Sequence, residues 1–239
     1  MFIEKRYQFG KVTISDEDTE EGTIRTLLVD GARESACYVD EGRHFEPRFY
    51  YIREFVRLLD ETGAGSRVLL IGGGGFTLAK YFVTRFDTGC MDVVERYREM
   101  YEIAREYFFL DELYERYDPE RRGRLRVFFE DGNDYVERCA ASSEKPGYDL
   151  VLDDAFVGRV HDGGMLTEHT VSGIRKVLSP DGAYAVNLMS PLKGYGSMQT
   201  VMTMTILRNH FREVKIWQVD PTREPTERQN CIIYARGLL

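Results

Sequence analysis

Four consecutive glycines, Gly72, Gly73, Gly74 and Gly75, separate the apolar run RVLLI from FTLAKYFVTRF, a segment with the pattern of a helix. Glycines at the end of a buried strand permit a tight turn and let the backbone approach a ligand, while the helix that follows offers unpaired N–H groups. The loop lacks the G-K-[ST] ending of a P-loop, and Thr77 stands where a G-x-G-x-x-G dinucleotide fingerprint needs its third glycine. What remains is a loop for a nucleoside bearing a sulfonium, with no phosphate to cradle. Glu95 ends the next strand, 23 positions after Gly72, where a carboxylate can accept from both ribose hydroxyls. Asp131, with Gly132 beside it in EDGNDY, is placed to accept from the exocyclic amine of adenine or to cap the helix DYVERC; the two roles are compatible. Asp153 and Asp154 end a further strand, at the rim where open α/β sheets hold ligands. Alternation along that strand turns Asp153 to the opposite face as a structural residue. Asp154 is then the candidate base, removing a proton from an attacking amine or hydroxyl and favouring a cationic acceptor.

The elements that would carry these residues alternate. From Arg67 onward the pattern predicts strand (RVLLI), helix (FTLAKYFVTRF), strand (CMDVVE), helix (RYREMYEIAREYF), strand (LRVFF), short helix (DGNDYVERCA) and strand (YDLVLDD). A helix over 167–178 with Thr167 as N-cap follows, closed by Pro180 and Gly182, then the strand GAYAVNLM, a helix over 197–209, and the strands VKIWQV and NCIIYA. This is the signature of a mainly parallel, twisted sheet with helices on both faces. The last two strands, joined without a crossover helix, should be antiparallel. Ahead of them, YQFGKVTI and TIRTLLV read as strands joined by the acidic hairpin loop SDEDTEEG, with ESACYV as a third. Pro47 can occupy the first turn of a helix running to about Asp60. The expected organisation is therefore a small β unit over 1–46 and a Rossmann-like nucleoside-binding domain over 47–239.

Composition excludes several classes. At 239 residues, 43% hydrophobic and 13% aromatic, the chain has ample core and is not disordered. It has no run of 18 apolar residues for a membrane span, and MFIEKRYQFGK is not a signal peptide, so a cytoplasmic protein is expected. The net charge of -8 argues against nucleic acid as a partner. Cys37, Cys90, Cys139 and Cys231 are widely spaced, and His161 and His169 have no carboxylate partners at metal-binding spacing, so no metal site is expected. The Gly-rich stretch FVGRVHDGG after Asp154 is a candidate gate over the acceptor, and Tyr50 and Tyr51 are candidates for the acceptor pocket or the core.

The order LLVDG (27–31), IGGGGF (71–76), VVE (93–95), EDGNDYV (130–136), YDLVLDD (148–154) and LTEHTVSGIRKVLSPDG (166–182) is similar to spermidine synthase and related polyamine aminopropyltransferases. The resemblance implies a class I methyltransferase-like fold and a homodimer. It implies decarboxylated S-adenosylmethionine as co-substrate rather than a tightly bound cofactor, with a small-molecule amine as acceptor. By it, Glu95 holds the ribose, Asp131 the adenine amine, and Asp154 deprotonates the amine. Two acids of the family pattern are absent. The G-G-G-D-G loop has Gly75 in place of the Asp that pairs with the donor's amino group, and D-x-x-D has Val157 in place of the second Asp. Glu34, near the point where the β unit would meet the loop, is a candidate substitute. Three readings stay open: aminopropyl transfer, methyl transfer from intact S-adenosylmethionine, and nucleoside binding without turnover.

Overall fold

The acidic stretch SDEDTEEG, expected as a hairpin loop, is strand for most of its length. In the computed structural model, which describes residues 1–157, 160–161 and 163–239, the chain opens with four antiparallel strands. These are β1 (Phe2–Tyr7), β2 (Gly10–Thr19), β3 (Gly22–Val29) and β4 (Ala32–Tyr38), paired in sequence order. The acids of β2 are tolerated because they face partners across the ladder. Asp16 lies opposite Arg25, which grips it with two hydrogen bonds of 2.8 and 2.9 Å, and Thr23 donates to Asp18 at 2.7 Å. The turn is confined to Glu20 and Glu21. β1 has no sequence signal of its own, since its alternating charges are those of a solvated edge strand. The inner face of this sheet (Val12, Ile14, Leu27, Val29 and Cys37) packs on Met100, Ile103 and Phe108 of the main body.

The first helix, α1 (Tyr50–Thr62), starts three residues beyond Pro47, with Phe49 as its extended N-cap, so the proline stands outside the first turn. It buries Ile52, Phe55, Leu58 and Leu59 and ends at Gly63, whose φ of 87° suits only glycine comfortably. The main body then runs β5 (Arg67–Ile71), α2 (Thr77–Arg85), β6 (Cys90–Val94), α3 (Arg98–Tyr107), α4 (Leu110–Tyr117), β7 (Leu125–Phe128), α5 (Gly132–Ala141) and β8 (Tyr148–Asp153). The short hairpin β9 (Phe156–Val157) and β10 (Val160–His161) follows, then α6 (Glu168–Val177), β11 (Leu178–Ser190), α7 (Met198–Arg208), β12 (Phe211–Gln218) and β13 (Gln229–Leu238). Part of the proposed gate over 156–164, and the side chains of Val157 and His161, lie outside the described residues.

Seven strands form the main sheet in the order β12-β13-β11-β8-β5-β6-β7. Neighbours from β11 to β7 are parallel, and β13 is antiparallel to both β11 and β12. The α/β class, the antiparallel final strand and the N-terminal β unit are as the alternation predicted. Residues one apart on a strand enter opposite cores. Val68 and Leu70 meet Phe55, Phe82 and Leu113 on one face, while Leu69 and Ile71 meet Val136, Val171 and Ile174 on the other. Thr167 caps α6 as expected, accepting from the Thr170 N–H at 3.1 Å. Pro180 and Gly182, however, sit within β11, in a bulge between the Leu178–Tyr148 and Ala183–Leu150 pairs. α4 is a helix the pattern did not announce, because its eight residues bury only Leu110 and Leu113. No helix among the described residues is long and apolar enough to cross a membrane.

Lys80 on α2 is fully buried, and its Nζ donates to the Phe108 carbonyl at 2.6 Å. That carbonyl belongs to the C-cap of α3, so the ammonium meets the negative end of the helix. Burial nevertheless pushes its pKa down to about 8. Between about 8 and the ordinary lysine value the folded protein has released a proton that the unfolded chain still holds, so this residue adds stability as pH rises. Subtracting the melting profile of Lys80→Met from that of wild type between pH 7.5 and 10.5 should leave a rising difference of about 3 kcal/mol. Parallel profiles would show that the ammonium is solvated.

Candidate active site

The sheet order creates a switch point between β5 and β8. From β5 the chain moves outward through β6 and β7, then returns to β8 and continues to β11 on the other side. Ligands of open α/β sheets bind at the carboxyl ends of strands flanking such a point. Here those ends open into a cleft of about 800 Å³. Gly72, Gly74, Glu95, Gly132 and Asp154 line it, joined from outside the main sheet by Glu34 of β4 and by Tyr50 and Tyr51 of α1. Gly73, Gly75 and Asp131 lie beside the cleft without lining it.

Each glycine of the loop has its own reason. Gly72 has φ of 92°, and a Cβ there would stand 2.5 Å from the Asp154 carbonyl oxygen. A Cβ on Gly73 would strike the Phe76 ring at 2.6 Å, and one on Gly75 would collide with the Ser35 side chain. Position 75 lacks an acid, and the buried Ser35 of the N-terminal sheet fills the space where one would begin. The amides of Gly73 and Gly74 point to Glu95, donating to Oε2 at 2.9 and 3.4 Å, and Tyr97 N–H donates to Oε1 at 2.9 Å. Burial raises the Glu95 pKa against these three donors. Because Glu95 engages two loop amides, the loop is no phosphate cradle, in agreement with its missing G-K-[ST].

Asp154 is tied to β5 by its N–H, which donates to the Ile71 carbonyl at 2.9 Å. Its Oδ1 accepts from Asn187 Nδ2 of β11 at 2.8 Å, and Asn187 Oδ1 accepts from Asn230 Nδ2 of β13 at 2.9 Å. The Tyr51 hydroxyl also hydrogen-bonds Asp154; burial, then the charges of Asp154 and Glu34, push its pKa well up, so it stays a phenol. Asp153 is fully buried on the opposite face, accepting from the Tyr184 hydroxyl at 2.6 Å. Asp131 takes the capping position: its Oδ1 accepts from Asn133 N–H at 2.8 Å and its Oδ2 pairs with Arg96. Burial would raise the Asp131 pKa, but those two donors hold it below the usual range.

Three cleft residues carried little signal in the sequence. Glu34 was only a candidate by position, Tyr51 was indistinguishable from a core aromatic, and Asn187 sits in an apolar strand with nothing to mark it. The arginines of the lining are mostly engaged: Arg96 by Asp131, Arg223 by Asp220 and Glu227, and Arg228 by the Met189 carbonyl. Arg33 is exposed. Among the described residues no three His, Cys, Asp or Glu side chains are grouped to hold a metal ion.

No protein-family model matches the chain. It is 18% identical, with a TM-score of 0.76, to a probable spermidine synthase from Corynebacterium glutamicum, over 99% of this chain and 80% of that one. Over 165 residues it is 26% identical to a polyamine aminopropyltransferase of Vibrio vulnificus, covering 69% of this chain and 52% of the relative. The chain is similar to spermidine synthases and has the class I methyltransferase fold. Methyltransferases are also among its relatives. An N-terminal histidine N-methyltransferase of Emericella nidulans is 24% identical over 89% of this chain and 40% of the relative. Human methyltransferase-like protein 13, solved with SAH, aligns with a TM-score of 0.57 and 20% identity over 72% of this chain and 71% of that one. The chain spans about half the length of these curated relatives or less. Both groups of relatives are transferases by name.

Proposed function

We propose that this chain transfers the aminopropyl group of decarboxylated S-adenosylmethionine to a small amine. The observation that carries the proposal is the charge of the cleft. Glu34, Glu95 and Asp154 share one wall, and burial together with the charges of Asp154 and Glu95 holds the Glu34 carboxyl up at about 8. Two loop amides that would otherwise greet a carboxylate face Glu95 instead. Such a wall suits a donor carrying a sulfonium and an ammonium, and disfavours the carboxylate of the intact methyl donor. Glu95 would hold the ribose, Gly72 and Gly74 would give the nucleoside its close approach, and the Asp131–Gly132 corner would face the adenine.

In the reaction the acceptor nitrogen attacks the propyl carbon next to sulfur. A C–N bond forms, the C–S bond breaks, and methylthioadenosine leaves with the electron pair of that bond. Asp154 takes the proton released by the nitrogen. In-line positioning supplies most of the acceleration, and the base contributes about 10²–10⁴-fold. Methyl transfer is the second reading, favoured by the methyltransferases among the relatives. Incubation with each donor and a pool of amines, followed by mass spectrometry, separates the two. An aminopropyl increment supports the proposal and a methyl increment the second reading; binding without either product identifies a nucleoside-binding relative.

A further inference from the structure

Glu34 is a largely buried carboxyl with no hydrogen bond or ion pair among the described residues. Its surroundings make matters worse: the acids facing it are Asp154 at the end of β8 and Glu95 at the end of β6, and from α1 comes the neutral Tyr51 phenol. The cleft arginines turn to other acids or carbonyls, and Arg33, the adjacent residue on the strand, is exposed. A buried carboxyl without a counter-charge is normally replaced or paired. Here it lines a ligand cleft, its neighbour Ser35 occupies the space beside Gly75, and its own backbone carbonyl lies 3.8 Å from where a Cβ of Gly74 would be. The partner that this site lacks within the protein is a cation supplied by the ligand.

We propose that Glu34 receives the terminal ammonium of the donor, and that the donor's arrival expels a proton from Glu34. This deepens the aminopropyl-transfer reading and rests on it. The step balances simply: a protonated Glu34 and an alkylammonium become a carboxylate–ammonium pair, and one proton passes to solvent. Below pH of about 8 the free site holds the proton, so donor affinity should climb close to tenfold per pH unit and level off above that value.

Calorimetric titration with decarboxylated S-adenosylmethionine at pH 7, repeated in phosphate and in Tris, counts the protons released. Methylthioadenosine, which has no ammonium, serves as the parallel ligand. The expected result is release of close to one proton with the amine-bearing donor and none with methylthioadenosine. In Glu34→Gln the release and the pH slope vanish, and donor affinity falls by about tenfold to a hundredfold, while methylthioadenosine binds as before. The same variant should melt higher than wild type at pH 8 without ligand, which also reports that it folds. Removing an acid whose folded pKa lies above its unfolded one removes a loss of stability that grows from the ordinary glutamate range up to about pH 8. If the donor binds wild type with no net proton exchange, or binds Glu34→Gln undiminished, the role of Glu34 is overturned while nucleoside binding stands. If neither nucleoside binds, the aminopropyl-transfer reading itself falls, and this inference with it.

Discussion

Asp154→Asn is expected to lower turnover by about 10²–10⁴-fold, with a far smaller loss of donor affinity. The substitution is isosteric, and Oδ1 can still accept from Asn187 Nδ2, whose position is fixed in turn by Asn230. What disappears is the ability to take a proton. No neighbour can replace it: Tyr51 is held as a phenol by burial and by the negative charges around it, and Asp153 is fully buried on the far face with Tyr184. Glu34 is the remaining acid of comparable access, but at neutral pH it carries its own proton until a cation arrives. Steady-state kinetics with saturating donor, set beside donor binding by calorimetry, gives the test. A fall in kcat with binding retained fits a base acting on the acceptor. Turnover within tenfold of wild type would assign the proton to solvent, and a matched loss of donor affinity would make Asp154 part of the donor site instead.

The part of the site legible in the sequence is the part that one local segment carries. RVLLI followed by four glycines is a strand, a turn and a close approach whatever surrounds it, and VVE and YDLVLDD place an acid at each strand end by position alone. Alternation of strand and helix then implies the mainly parallel sheet, and the short final connection its antiparallel last strand. What is only weakly legible depends on segments distant in sequence. Glu34 reaches the cleft because the N-terminal sheet packs its inner face on α3, and Tyr51 because the first turn of α1 borders the cleft; neither arrangement leaves a periodic trace. Asn187 resembles any polar residue in a buried strand until β8 places Asp154 against it. The bare Gly75 looked like the loss of an acid, whereas the structure shows Ser35 filling that space and Glu34 next to it on the same strand. β1 and α4 were missed for a simpler reason: one is a charged edge and the other buries two residues, so hydrophobic periodicity had little to register.

Gly72→Ala should be the most damaging small change in the loop, and Gly74→Ala a mild one, although both glycines have positive φ. At Gly74, with φ of 50°, the added methyl carbon would meet only the Glu34 carbonyl oxygen at 3.8 Å, an ordinary contact. Its penalty is the left-handed conformation alone, about 1–2 kcal/mol. At Gly72 the methyl carbon would stand 2.5 Å from the Asp154 carbonyl oxygen and 2.9 Å from its carbon, both backbone atoms. No rotamer change relieves that clash; the end of β8 has to move. Overpacking of this kind adds about 1–3 kcal/mol to the conformational term, and for a chain of this size the sum corresponds to a melting temperature lower by roughly 5–20 °C. Movement of β8 also carries function with it. The Asp154 N–H is bonded to the Ile71 carbonyl, so a shift there draws the carboxylate away from Asn187 and Tyr51. Calorimetric melting of the two variants side by side, with kcat measured on whatever fraction folds, checks the argument. Gly74→Ala should melt only slightly below wild type, and Gly72→Ala should lose turnover even below its melting point. Equal melting of the two would mean that the β5–β8 rim yields to a methyl group, and that the glycine at its top serves the ligand rather than the fold.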